Sequence, residues 1–514
     1  MKKLFFKPLL LSSFFLLIST LDNGFKAEEL VNDEVISDVY FPTHPKIPKP
    51  LSVNDTNALL VSLQAYLGKQ DMDTSQVSHL ELVSAGTPLL LKDANGLVHK
   101  SSKISIGWRK VPLKSSKVFE RQVIGPFPSF ESAQRISSLL EEDGIVNVIA
   151  HPLDWEIWVA KQIPLPKTLK SKVFREKVFH EVKPVLKLGF GEYFLSGKIF
   201  IEAPDGLLWK NGLYQGPFFL KPDAYGTWTF LEKVSIEKYL LGVLPHEIGS
   251  SSPPNALAAQ AVLARTWAIS NSHRFEIDGY HLCTDTQCQV YKDPSRASEA
   301  VARAIKQTNG KVLNWEGKPI NAVYHATNGG VSAAGHEAWS IAPVPYLRTF
   351  VDGPIRWKNQ FDLPLDDNDQ IKRLLAKRDG AFGNGHRLFR WKRTVTAKNM
   401  KKLLNLSENE YPKIVRVLER GPSGRVLALE IAGKMNKSKL VLRLDGIRRK
   451  FKNLPSTLFF VEEVKDGVWE FTGGGFGHGA GLSQAGAIDL ALRGWTTRKI
   501  LKYYYPGTSY ESFK

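Results

Sequence analysis

Cysteine is nearly absent from this 514-residue chain: two residues, Cys283 and Cys288, stand in HLCTDTQCQVY. So few cysteines exclude a disulfide-dense scaffold and leave two readings, a local disulfide or a metal site completed by His281. Three soft or borderline ligands within eight residues could hold a structural zinc, but their spacing fits no standard zinc knuckle, and a fourth ligand would have to come from elsewhere. Long hydrophobic runs are also lacking. The apolar run at residues 8–18 is too short to span a bilayer comfortably, and nothing after it is long and apolar enough for a transmembrane helix. Lys2, Lys3 and Lys7 precede that run, which makes residues 1–27 a secretory signal. Phe25 is bulky for the minus-three position of a cleavage site after Ala27, so an uncleaved anchor remains an alternative. The expectation is an exported protein of the periplasm or cell wall. No repeating βα unit and no recognisable nucleic-acid module occurs, so nucleic acid is not an expected partner.

Positive charge is plentiful. The chain carries a net +18, and removing residues 1–27 leaves +15, because that segment holds four lysines and one aspartate. An exported protein this basic is drawn to anionic surfaces such as cell-wall polymers. Residues 28–75 read as a Pro-rich linker (PTHPKIPKP) followed by a helix near 56–67, and residues 76–117 as a β-rich segment with a turn at Asn95-Gly96. Residues 118–160 read as a βαββ unit, its helix capped by Ser129 and ended by Gly144. Residues 185–234 are again β-rich, and residues 235–514 mix strands and helices irregularly. The fold class is α+β.

The stretch 235–268, SIEKYLLGVLPHEIGSSSPPNALAAQAVLARTWA, organises the rest. Ile236, Leu240, Val243 and Leu244 recur at helical spacing behind Ser235 as N-cap, and Pro245 is expected to stop that helix. Pro253 and Pro254 open a second, alanine-rich helix. Glu247 falls between the two, an acid held by rigid elements as a catalytic proton donor would need to be.

Two distant segments carry further chemistry. One runs from CQVY to YHATNGG and includes Tyr324 and His325. The other, GGGFGHGAGLSQAGA, has six glycines in the nine positions 473–481 and offers His478, Ser483 and Gln484. Its backbone can approach a ligand closely. It lacks the Lys-Ser/Thr ending of a P-loop, the layout of a dinucleotide fingerprint and the G-x-S-x-G of a nucleophile elbow.

The segments IEKYLLGVLPHEI…NALAAQAVLARTWA, CQVY, YHATNGG, LPSTLFFVEE and GGGFGHGAGLSQAGAIDLALRGWTTRKILKYYYPGT resemble, in order, the stage II sporulation protein D (SpoIID/LytB) family, which includes the amidase enhancers. The likeness covers roughly residues 185–510. It implies a peptidoglycan lytic transglycosylase that acts on glycan strands lacking stem peptides, requires no cofactor and uses Glu247 as general acid and then base. Ile248 replaces the family's usual methionine, a volume-conserving change. Arg265, Tyr324, His325, Gly477, His478, Ser483 and Gln484 are the expected substrate-binding residues. Some members bind a metal near CQVY, and Gln287 stands here where a histidine is often found, so Cys283, Cys288 and His281 carry a weakened metal motif. The 118–160 unit resembles half of a SPOR domain, which implies binding to peptidoglycan glycan. The amidase enhancers add an alternative, a non-catalytic wall-binding protein that localises or stimulates a cell-wall amidase.

Overall fold

The computed structural model describes residues 58–69, 79–189, 191–404, 406, 412–433, 439–452 and 454–513. The signal-like segment 1–27 and the Pro-rich linker to residue 57 lie outside the described residues. The elements that position the site are, in chain order, β1 (Ala58–Leu67), β2 (Lys103–Phe127), α1 (Phe130–Glu142), β3 (Trp155–Ala160), β4 (Ser171–Leu188), β5 (Phe218–Pro222), β6 (Trp228–Ser235), α2 (Ile236–Glu247), α3 (Pro254–Ser270), β7 (Leu282–Cys283), β8 (Tyr324–His325), β9 (Leu482–Ser483), α4 (Gln484–Leu492) and α5 (Thr497–Tyr504).

The architecture is α+β, with a β-rich N-terminal half. A seven-stranded sheet runs β7-β1-β6-β5 and continues through strands Ile199–Glu202, Leu89–Lys92 and Val98–Ser101. The helix expected near 56–67 is instead β1. Its apolar residues fit either period, and the ladder decides: β6 pairs antiparallel on one edge and β7 parallel on the other. Leu59, Val61, Leu63 and Leu67 are thereby buried in the main core. A second sheet is built on β2, which pairs with β3 and, along much of its length, with β4. The helix α1 covers this sheet, with Phe130, Ala133 and Leu140 packed against Trp155 and Ile157. Ser129 caps it, its hydroxyl accepting from Ser132 N–H at 3.2 Å.

β6 leads straight into α2, whose start is fixed by Ser235 accepting from Lys238 N–H. Pro245 does not end α2, contrary to the sequence expectation. Its missing N–H removes one rung near the helix end, and beyond it Ile248 N–H still donates to Leu244 O at 3.2 Å. Glu247 is therefore the last residue of a helix rather than part of a loop. α3 has every residue from Ala256 to Ile269 buried. A helix enclosed on all sides needs small side chains wherever a neighbour crosses closely, and its alanines supply them.

Because α3 has no solvent face along those fourteen residues, added volume has nowhere to go. The substitution Ala259→Leu is expected to lower stability by about 1–3 kcal/mol in urea unfolding. An unchanged midpoint would mean that α3 is looser than its burial indicates.

Candidate active site

Glu247 stands where two cavities meet. One, of about 250 Å³, is bordered by Trp267, Gln289, Tyr324, Trp339 and His478 as well as Glu247. The other, of about 560 Å³, is bordered by Glu247, Ala326, Gly383, His386, Gln484 and Arg493. Among the described residues, Glu247 is the one common to the two linings. Its position is set at each end: α2 carries the backbone, and Val290 N–H donates to Oε1 at 3.0 Å. Among the described residues Oε2 has no protein partner.

Burial raises the Glu247 pKa above the ordinary carboxylate value, and the Val290 hydrogen bond only partly offsets this. The other carboxyls of the two cavities are differently placed. Glu131 is ion-paired with Arg274, Asp445 with Arg448 and Arg449, and Asp489 with Arg493. Among the described residues lining these cavities, Glu247 is thus the carboxyl without a basic partner. It is suited to holding a proton and giving it up, and the paired carboxyls are not.

The structure gathers some of the expected residues here. Tyr324 borders the smaller cavity, its hydroxyl accepting from Gln289 Nε2 at 3.0 Å. His478 borders it too, with its ring 4.6 Å from that of Trp339. Nδ1 of His478 accepts from Ala480 N–H at 3.2 Å, so Nε2 carries the proton and donates to Tyr324 O at 2.8 Å. Burial, reinforced by Arg448, pushes its pKa down to about 4. His478 is a neutral wall residue with both nitrogens engaged, and no base. Gln484 borders the larger cavity and donates to Gln260 Oε1 at 3.4 Å.

Other expected residues lie behind this surface. His325 and Ser483 are buried, paired across the parallel β8–β9 bridge. Ser483 caps α4 by accepting from Gly486 N–H, and His325 Nδ1 meets Ala480 O at 3.0 Å. Gly477, at φ +111°, permits this fit: a Cβ there would sit 2.7 Å from that of His325. Arg265 borders neither cavity. Its guanidinium is buried, donating to Glu237 at 2.7 and 2.6 Å and to Lys311 O at 3.0 Å, so it ties α3 to α2. The structure thus places Arg265, expected to touch substrate, away from both cavities as a tie between two helices.

The metal reading is corrected. Cys283 and Cys288 are joined by a disulfide, which consumes both sulfurs, and His281 Nδ1 accepts from Leu60 N–H at 2.8 Å. Gln287 Oε1 accepts from Trp155 Nε1 at 3.3 Å. Among the described residues no group of three or more His, Cys, Asp or Glu side chains could hold a metal ion. The disulfide instead closes the loop that leads into Gln289 and Val290, the partners of Tyr324 and Glu247.

Several further wall residues are not among the site residues expected from the sequence, though Arg448 and Arg449 lie in its basic cluster at 448–452. Glu131 comes from α1 and pairs with Arg274, which lies over the Phe130 and Trp267 rings. Trp339, Asp445, Arg448 and Arg449 come from the region after residue 333. Only long-range folding joins them to Glu247.

Residues 224–315 match the family described as Stage II sporulation protein (SpoIID), and residues 333–481 match a domain of unknown function (DUF8618). The chain is 30% identical over 296 residues to the amidase enhancer of Bacillus subtilis (strain 168), covering 53% of this chain and 40% of that protein. It is 29% identical over 294 residues to stage II sporulation protein D of the same strain, covering 54% of this chain and 75% of the relative. An uncharacterized protein of Brachyspira hyodysenteriae is 27% identical over 330 residues, covering 63% and 78%. The chain thus spans less than half the length of the amidase enhancer and three quarters of the sporulation protein. These matches bear out the SpoIID/LytB resemblance, and the SpoIID segment contains α2, Glu247 and α3.

Two outcomes follow from the loop and the acid. Replacing both cysteines with serine is expected to cost about 2 kcal/mol, the loop-closure value for so short a ring. Urea unfolding measures it, and an unchanged stability would show that the loop is held without the bond. Because folding raises the Glu247 pKa, there is a pH range in which the folded state holds a proton that the unfolded chain has released. Stability from that proton is therefore present below the unfolded pKa and lost as pH rises through the folded value. Glu247→Gln keeps the neutral shape. Between the unfolded and folded pKa values its stability relative to wild type should grow by about 1.4 kcal/mol per pH unit. A pH-independent difference would show that the carboxyl is not raised.

Proposed function

We propose that this chain is a lytic transglycosylase that cleaves peptidoglycan glycan strands lacking stem peptides and leaves 1,6-anhydro ends. The observation that carries the reading is the placement of Glu247, a half-buried carboxyl with a raised pKa and no basic partner, at the junction of two cavities. A hydrolytic glycosidase ordinarily needs a second carboxyl to activate water or to attack the sugar. The other lining carboxyls are each bound to arginine. Intramolecular cleavage needs one acid. Glu247 gives its proton to the leaving glycosidic oxygen. As a carboxylate it then takes the proton of the sugar's C6 hydroxyl as that oxygen closes on the anomeric carbon. The substrate's N-acetyl group can assist by stabilising the positive centre. Val290 N–H fixes Oε1 and leaves Oε2 for the exchange.

The setting agrees. The N-terminal signal segment, the Cys283–Cys288 disulfide and the net positive charge support a place outside the cytoplasm, in the periplasm or cell wall. The SPOR-like unit at 118–160 serves in this reading as a second glycan contact, and its α1 supplies Glu131 to the cavity wall. The name of the amidase enhancer relative favours a second reading, in which the same groove binds glycan without cutting it and assists a cell-wall amidase.

Glu247→Gln separates the two. On purified glycan strands stripped of peptide it is expected to abolish 1,6-anhydro ends, scored by muropeptide mass spectrometry, while glycan binding persists. Cleavage retained in the variant would overturn the assignment, and wild-type protein that binds without cutting would favour the second reading. Wild-type activity should also fall as pH rises through the raised Glu247 pKa, because the first step uses the protonated acid.

A further inference from the structure

Leaving Glu247 aside, the charged lining of the smaller cavity carries one more guanidinium than carboxylate. Its ionisable lining residues besides Glu247 are Glu131, Arg274, Asp445, Arg448, Arg449 and His478. Glu131 and Arg274 form a closed pair, both nearly buried. Arg274 is further engaged by Asn271 Oδ1 at 2.9 Å and by the Gln287 carbonyl. His478 is neutral. That leaves Asp445 facing two guanidinium groups, accepting from Arg448 Nη1 at 2.7 Å and from Arg449 Nε at 3.1 Å. Burial opposes charge on Asp445, but Arg448 and Arg449 outweigh it and hold its pKa below the usual value. One carboxylate cannot neutralise two guanidiniums, so this trio of side chains carries one net positive charge.

Arg449 is the open member of the trio. Its side chain is 39% exposed, against 24% for Arg448. It gives Asp445 only its Nε, and among the described residues Nη1 and Nη2 have no partner. Arg448 has a second duty, donating from Nε to Pro455 O at 3.2 Å. A fork of N–H donors beside a surplus charge suits a carboxylate, which it can grip through two parallel hydrogen bonds.

The glycan named above presents such a group. Each muramic acid residue bears a lactyl ether whose carboxyl is an amide when a stem peptide is attached and a free carboxylate when it is not. We propose, resting on the lytic reading of Glu247, that Arg449, with Arg448 behind it, forms a subsite for the free lactyl carboxylate and so selects strands without stem peptides. The amide removes the charge and one acceptor oxygen and adds the bulk of a peptide. Both arginines belong to residues 333–481, outside the segment that matches SpoIID. The second region thereby supplies selectivity to an acid carried by the first.

The test uses the full-length Glu247→Gln protein, which is expected to bind without cutting. Its affinity is measured by calorimetry for a peptide-free glycan oligosaccharide and for the same oligosaccharide with its lactyl carboxylates converted to methylamides. The free acid is expected to bind roughly 10- to 100-fold more tightly, the range for a charge-assisted contact. Adding Arg449→Gln should remove most of that preference, and Arg449→Lys should restore part of it. Equal binding of acid and amide would overturn the subsite, as would a preference that survives Arg449→Gln. The ligand comparison alters no residue of the subsite, so a variant that misfolds cannot decide the outcome. If wild-type protein fails to cut but the preference for the acid remains, the lytic reading falls and the subsite stands.

Discussion

The hydrogen bond from Val290 N–H to Glu247 Oε1 is the contact on which the site depends. It joins the end of α2 to a loop more than forty residues later, so the carboxyl is fixed from two directions. It supplies one neutral donor where an ion pair would have supplied a full charge. An arginine in that place would have favoured the ionised form of Glu247; a single amide leaves burial dominant and the pKa raised. The disulfide and the Gln289 contact to Tyr324 hold the same loop, so the donor is presented by a braced segment.

Around this contact the scaffold is rigid where the acid needs it to be. α3 is enclosed along nearly its full length, and Arg265 locks it to α2 through Glu237. The Gly-rich segment meets the strand carrying Tyr324 and His325 at van der Waals limits, with Gly477 against His325. That closeness brings His478 and Gln484 from the far end of the chain to the cavities that Glu247 shares. The glycines act chiefly by letting backbones meet, and the ligand-facing surface belongs to the side chains between them.

Much of this is legible in the sequence because it is local. Ser235 as a cap, the apolar spacing of α2 and the alanine run of α3 each follow from a few neighbouring residues, and Glu247 stands out between them. Sequence and structure part where tertiary pairing overrides a local signal. β1 has apolar residues compatible with a helix and is a strand because two partners are available. Pro245 removes one N–H too close to a helix end to matter. Arg265 has the chemistry of a ligand contact, but its charge is spent on Glu237. Arg448 and Arg449 show in the sequence only as part of a basic cluster at 448–452, and Glu131, Arg274 and Asp445 do not stand out, since their meeting at one cavity depends on residues far apart in the chain.

The central claim is that Glu247 works alone and that the sugar's own hydroxyl, not water, completes the cleavage. The most direct measurement is digestion of peptide-free glycan strands by wild-type protein in heavy-oxygen water, followed by mass spectrometry of the new ends. The account expects ends without the label, at the mass of the 1,6-anhydro sugar. Labelled reducing ends would contradict it, because they would require an activated water and a second carboxyl to activate it.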